Sequence, residues 1–103
     1  MNGTSIKHMV VFKLHAGKNN VNAEQFLNLS ADELTTIPGV EQFEVLRQVS
    51  PKADYDYGFS MVFANQAAYD AYNIHPVHTQ YVAERWLKEV SSFQEIDFQL
   101  FEK

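Results

Sequence analysis

The sequence predicts an α+β fold: a four-stranded antiparallel sheet with its helices on one face, built in the order β-α-β-β-α-β. Three observations predict it. Apolar, strand-like runs recur at about 5–15, 40–49, 55–64 and 92–101. Helical segments with readable starts fall after the first run and after the third. The second and third runs are joined only by the turn Ser50-Pro51-Lys52-Ala53-Asp54, too short for a crossover. Together these give the split-βαβ, ferredoxin-like plan.

The first strand, SIKHMVVFKLH over 5–15, carries Ile6, His8, Val10, Phe12 and Leu14 on one alternating face. Lys7, Met9, Val11, Lys13 and His15 lie on the other. Both faces are apolar at the centre, as in a strand covered on both sides. After the turn Gly17-Lys18-Asn19-Asn20, the pair Asn22 and Gln25 has capping-box spacing, with Val21 and Phe26 placed as a hydrophobic staple. The helix should run to about Ile37 with Phe26, Leu27, Ala31, Leu34 and Ile37 inward, until Pro38-Gly39 stops it. In the third strand Tyr55, Tyr57, Phe59, Met61 and Phe63 share one face, and the smaller Gly58, Ser60 and Val62 share the other with Asp56. Asn65 can cap a short helix reaching Tyr72, and a second helix should start at Pro76 and run through Trp86 to about Val90. The last strand sets Ile96, Phe98 and Leu100 against Glu95, Asp97 and Gln99.

The 103 residues suit one domain, 1–103 with an ordered core of about 5–101. A domain this small gains from a partner. Helices on one face leave Met9, Val11 and Val62 on the other, so the simplest partner is a second copy stacked about a two-fold axis. A net charge of −5 and a pI near 5.2 argue against nucleic acid. No cysteine is available for disulfides, thiol chemistry or a Cys-based zinc site. No apolar run approaches the ~18 residues of a membrane span, and the expectation is a soluble, cytoplasmic protein. There is no nucleophile elbow to support serine hydrolysis and no glycine-rich loop to bind a nucleotide, and no cofactor is expected.

The stretch YNIHPVHTQYV, Tyr72–Val82, concentrates the candidate chemistry. His75-Pro76 reads first as a helix start, because a residue before proline is driven into the extended conformation of an N-cap. His78 falls in the first turn of that helix, where the positive end of the helix dipole disfavours an imidazolium, and is a candidate neutral base, while the phenol of Tyr72 could hydrogen-bond a substrate carbonyl. His8 and Tyr57 point towards the helices and could line the same pocket, with Phe59, His75 and Trp86 as further contacts. The same aromatics also read as core. His75 and His78 are split by the proline step with no carboxylate between them, so no metal site is expected.

Four segments, Ile6–Lys13, Ile37–Val40, Gly58-Phe59 and Tyr72–His78, resemble the stress-responsive α/β-barrel (Dabb) family over about residues 5–101. The resemblance implies a ferredoxin-like subunit whose sheet pairs with another to form a dimeric α/β barrel. It implies a stress-related protein with a small-ligand pocket, the ligand being aromatic or polyketide-like. Plant polyketide cyclases of the family use a tyrosine and a histidine that match Tyr72 and His78, although Tyr57 stands where such relatives would carry an imidazole. Three activities follow as expectations: cofactor-free proton transfer or cyclisation, a non-catalytic homodimeric structural role, or a cofactor-free monooxygenase reaction known in the wider superfamily.

Overall fold

Strand β1 (Ile6–Leu14) is an inner strand, and its alternation decides where the core lies. Ile6, His8, Val10, Phe12 and Leu14 are buried, while Lys7, Met9, Val11 and Lys13 are only partly covered. The computed structural model describes residues 2–102. In it β1 pairs with β3 (Tyr57–Phe63) on one side and with β4 (Val90–Phe98) on the other. β2 (Glu41–Arg47) lies beyond β3, giving the antiparallel order β2-β3-β1-β4. The predicted ferredoxin-like arrangement is the one observed.

Helix α1 (Val21–Leu34) starts earlier than the capping-box spacing suggested. Gly17 and Asn19 both have positive φ, 82° and 59°, and bend the chain so that Asn20 becomes the extended residue. Its side chain accepts the Ala23 N–H at 2.9 Å. Asn22 is therefore inside the helix, and Val21 is 65% exposed rather than stapled to Phe26. The inward stripe is Ala23, Phe26, Ser30 and Leu34, with Leu27 and Ala31 partly covered. The helix ends at Leu34, although Ile37 beyond it is still buried.

Helix α2 (Gln66–Ile74) is capped by Asn65, whose side chain accepts the Ala68 N–H at 2.9 Å. His75 ends α2 and starts α3 (Pro76–Tyr81) in an extended conformation, φ −63° and ψ 135°. Its Nδ1 accepts the Val77 N–H at 3.1 Å, so it is an N-cap in side chain as well as backbone. A π-helical segment, Val82–Trp86, follows, and then one α-turn, α4 (Leu87–Glu89). This is where the single long helix expected from Pro76 departs from observation. Tyr81 and Trp86 are five residues apart, about 140° around an α-helix. The wider turn lets both be buried, with ring centroids 6.4 Å apart. Trp86 then joins Phe12, Phe26 and Phe59 in the core, with its ring 5.0 Å from that of Phe12.

The register of β4 fixes the character of both sheet faces. Phe93, Glu95 and Asp97 stand opposite Phe12, Val10 and His8, on the helix side. Ile96 and Phe98 stand opposite Met9 and Lys7, on the uncovered side, where they are 40% and 49% exposed. The uncovered face therefore joins Met9, Val11, Ile96 and Phe98, with Leu46 opposite Gly58 on β2. Val62, expected on this face, lies on the same side but is already buried in the single chain, because β3 is an inner strand covered along its whole length.

Candidate functional site

A cavity of about 250 Å³ lies between the sheet and the helices. His8, Val10, Phe59 and Met61 form its floor, and Leu34 closes it from α1. Tyr72, His78, Tyr81 and Trp86 form the helical wall, while Phe93 and Glu95 of β4 sit at the rim. A second cleft of about 290 Å³ is lined by His15, Asn22, Arg85, Lys88 and Glu89 among others and shares no residue with the first. It is walled largely by exposed side chains. Only the first brings buried phenols and imidazoles together on an apolar lining, as a small-molecule site requires.

The break at His75 turns Tyr72 and His78 towards each other, with ring centroids 4.4 Å apart. Tyr72 is 3% exposed and its hydroxyl has no protein partner. The only fully enclosed side-chain polar atom without a partner among the described residues is Ser60 Oγ. The Tyr72 hydroxyl must therefore open on the cavity. Burial pushes its pKa well above the ordinary phenol range, and the charges of Tyr81, Tyr69 and Glu95 push the same way. The group stays protonated and can donate.

His78 lies beside it, half-buried. Its Nδ1 is 3.1 Å from the Asn73 carbonyl oxygen, which can only accept, so Nδ1 carries the proton. Burial lowers the imidazole pKa, the Asn73 carbonyl partly restores it, His8 lowers it further and Glu95 raises it. The net direction is down, and the ring is neutral at neutral pH with Nε2 free. The helix dipole suggested by the sequence is a lesser influence than burial, because α3 has only six residues.

Of the other residues singled out, His8, Phe59 and Trp86 line the cavity. Tyr57 and His75 do not. The Tyr57 hydroxyl accepts the Asn19 N–H at 3.0 Å, at the entry to α1, and its ring packs on Phe12. His75 spends its Nδ1 on the Val77 N–H. Sequence reasoning missed two residues that surround His8. Its Nδ1 is 2.6 Å from Asp97 Oδ1 and 3.0 Å from the Tyr69 hydroxyl, which in turn donates to Asp97 Oδ1 at 3.2 Å. The alternation of β4 set Asp97 apart from the apolar row, but nothing local says that its face meets His8 across 89 residues. Among the described residues no three histidine, aspartate or glutamate side chains converge as a metal set.

The profile of the family described as Stress responsive A/B Barrel Domain (Dabb) matches residues 6–100. A Dabb family protein with a ferredoxin-like fold from Mesorhizobium loti is 47% identical and superposes with a TM-score of 0.93, covering 95% of this chain and 98% of its own. A hydroxynitrile lyase from Passiflora edulis is 11% identical with a TM-score of 0.83, covering 99% and 98%. A dimeric ferredoxin-like protein of unknown function from Thermobifida fusca is 19% identical with a TM-score of 0.75, covering 95% and 92%. At these identities the last two share the fold alone. No curated protein sequence matches the chain.

Proposed function

The chain belongs to the stress responsive A/B barrel domain family, and from that premise we propose that it is a homodimer whose cavity binds a small, neutral, largely aromatic carbonyl compound and moves a proton on it without a cofactor. The observation that carries this reading is the Tyr72–His78 pair. A protonated phenol and a neutral imidazole, 4.4 Å apart by ring centroid, face one apolar cavity. The phenol O–H can hold a carbonyl oxygen as it gains charge, while Nε2 of His78 accepts the proton that leaves the adjacent carbon or hydroxyl. That pairing suits enolate chemistry such as aldol closure or dehydration.

Size narrows the ligand. An apolar cavity of ~150 Å³ holds a benzene, so about 250 Å³ takes one or two rings and no extended polyketide. Glu95 is the one charged side chain on the lining, and no lysine or arginine balances it, which disfavours carboxylate ligands. The homodimer rests on the uncovered sheet face, whose apolar row would be removed from water by a second copy. A chain without cysteine suits a reducing compartment, and the proposal places it in the cytoplasm in a stress-related role.

The test is calorimetric titration with 4-hydroxyacetophenone and its close relatives, preselected by thermal shift. Binding that weakens in both Tyr72→Phe and His78→Ala supports the reading. Equal affinity in wild type and both variants would remove the pair from the site. No binding by any phenolic ketone would leave the homodimer as the functional property.

A further inference from the structure

The Tyr72–His78 pair leaves one buried imidazole of the cavity unused. His8 is 5% exposed, and its ring stands 6.5 Å from that of Tyr72 by centroid. Its Nδ1 lies 2.6 Å from Asp97 Oδ1. A carboxylate can only accept, so the short contact requires the proton on Nδ1. The reverse tautomer would aim a nitrogen lone pair at a carboxylate oxygen. The Tyr69 hydroxyl, 3.2 Å from the same oxygen, donates to it as well and closes a three-residue cluster from β1, α2 and β4. Burial and the Asp97 charge hold the Tyr69 phenol above its ordinary pKa, which keeps that donor in place. Nε2 of His8 then has no protein partner. Since it is not among the enclosed unpartnered atoms, it reaches the cavity that His8 lines.

We propose that Asp97 and Tyr69 are positioning residues that lock His8 in its Nδ1–H tautomer, making Nε2 of His8 a second proton acceptor on the cavity wall that Tyr72 and His78 also line. The assignment rests on the reading of this cavity as a ligand site. It adds to that site a second imidazole acceptor beside the one phenol donor. A ligand O–H or C–H proton delivered to Nε2 of His8 would leave its electron pair on the ligand, beside the Tyr72 O–H. The imidazolium charge would face the Asp97 carboxylate on the ring's opposite side. Asp97 and Tyr69 touch no ligand and act through His8. The ligand class that matches this wall is a neutral molecule with two donor groups and a carbonyl, rather than one with a single donor.

Two-bond ¹H–¹⁵N correlation spectra of the ¹⁵N-labelled protein at pH about 8, above the ordinary imidazole range, test the assignment with no ligand present. His8→Gln identifies the signals. In wild type the Nδ1–H tautomer of His8 should dominate by at least about tenfold, the bias expected of a hydrogen bond to a charged group. Asp97→Ala should move His8 towards the Nε2–H form that an unrestrained histidine favours. Asp97→Asn, whose side-chain carbonyl still accepts, should restore the Nδ1–H form, with His78 signals unchanged throughout. A wild-type spectrum with the proton on Nε2 overturns the proposal without any variant, and so does an Asp97→Ala spectrum identical to wild type. Failure of phenolic ketones to bind, by contrast, would count against the cavity reading while leaving the tautomer result intact.

Discussion

Replacing Tyr72 with phenylalanine removes one oxygen that has no hydrogen-bond partner in the protein. The ring remains, packed on Phe63 at 4.9 Å and His78 at 4.4 Å between centroids. Folding loses no internal hydrogen bond, so stability should change by less than about 0.5 kcal/mol. Ligand binding loses the donor to the carbonyl, a net ~0.5–1.5 kcal/mol, or about two- to twelvefold in Kd. Tyr81→Phe is the matched control, because it should do the opposite. Its hydroxyl is 2.6 Å from Ser30 Oγ in the core, and Ser30 also donates to the Phe26 carbonyl at 2.7 Å. Ser30 has one proton to give, and it goes to Phe26, so Tyr81 is the donor in the pair. Tyr81→Phe therefore deletes a buried hydrogen bond worth about 1 kcal/mol, and Tm should fall by roughly 4–8 °C for a domain of this size. Its affinity for 4-hydroxyacetophenone should stay within about twofold of wild type, since that hydroxyl is already committed. Calorimetric titration and thermal melts on the three proteins read both quantities. A Tyr72→Phe variant that melts several degrees lower with unchanged affinity would make its hydroxyl structural and remove it from ligand recognition.

Three further predictions follow from the same geometry. Val11→Asp places an unpaired carboxylate in the face proposed to be buried, so light scattering at micromolar concentration should shift from twice 11.8 kDa towards the single-chain mass; a wild type already monomeric would sink the dimer. Pro76→Ala should cost ~1 kcal/mol or less, through the freer unfolded chain, as read by denaturant melts; a loss of several kcal/mol would mean that the His75–Pro76 step does more than start α3. His78 titrates below the unfolded value of about 6.5, so the unfolded chain binds its proton first on acidification. Its contribution is therefore full above pH 6.5 and is lost as pH falls from there towards the lower folded value, and the wild-type advantage over His78→Gln in melting should shrink across that window.

The architecture was legible because it depends on short-range pattern. Alternation in β1 separated His8, Val10 and Phe12 from Met9 and Val11, and that division is the one observed. His75-Pro76 announced a helix start through backbone constraints that need no tertiary partner. What the sequence hid depends on register. The α1 start moved from Asn22 to Asn20 because two positive-φ residues reoriented the turn, and either asparagine could have capped. Tyr57 alternates correctly onto the helix face, yet it lies at the start of β3, against the turn that leads from β1 into α1, beyond the cavity. Face was predictable there, but position along the strand relative to the helices was not. The five-residue spacing of Tyr81 and Trp86, about 140° apart on an α-helix, fits the π-turn that follows Tyr81.

β4 connects the proposed dimer to the proposed site. It is an edge strand, exposed along nearly its whole length in the single chain. Its uncovered-side residues, Ile96 and Phe98, extend the apolar face that a second copy would bury. Its alternate residues, Phe93, Glu95 and Asp97, form the cavity rim and the carboxylate that holds His8. Because side chains alternate with a period of two, a one-residue slip of β4 would exchange these rows. Asp97 would then turn away from His8, and Ile96 would take its place in the helix-side row. The ladder to β1 fixes the register from one side only, and it already carries an irregularity between Lys13 and Leu14. Covering Ile96 and Phe98 with a partner would penalise any slip that carried acidic residues into the interface. The proposed dimer and the placement of Asp97 are then two consequences of one alternation, and a pairing that hid the sheet face would also hold the His8 cluster in register.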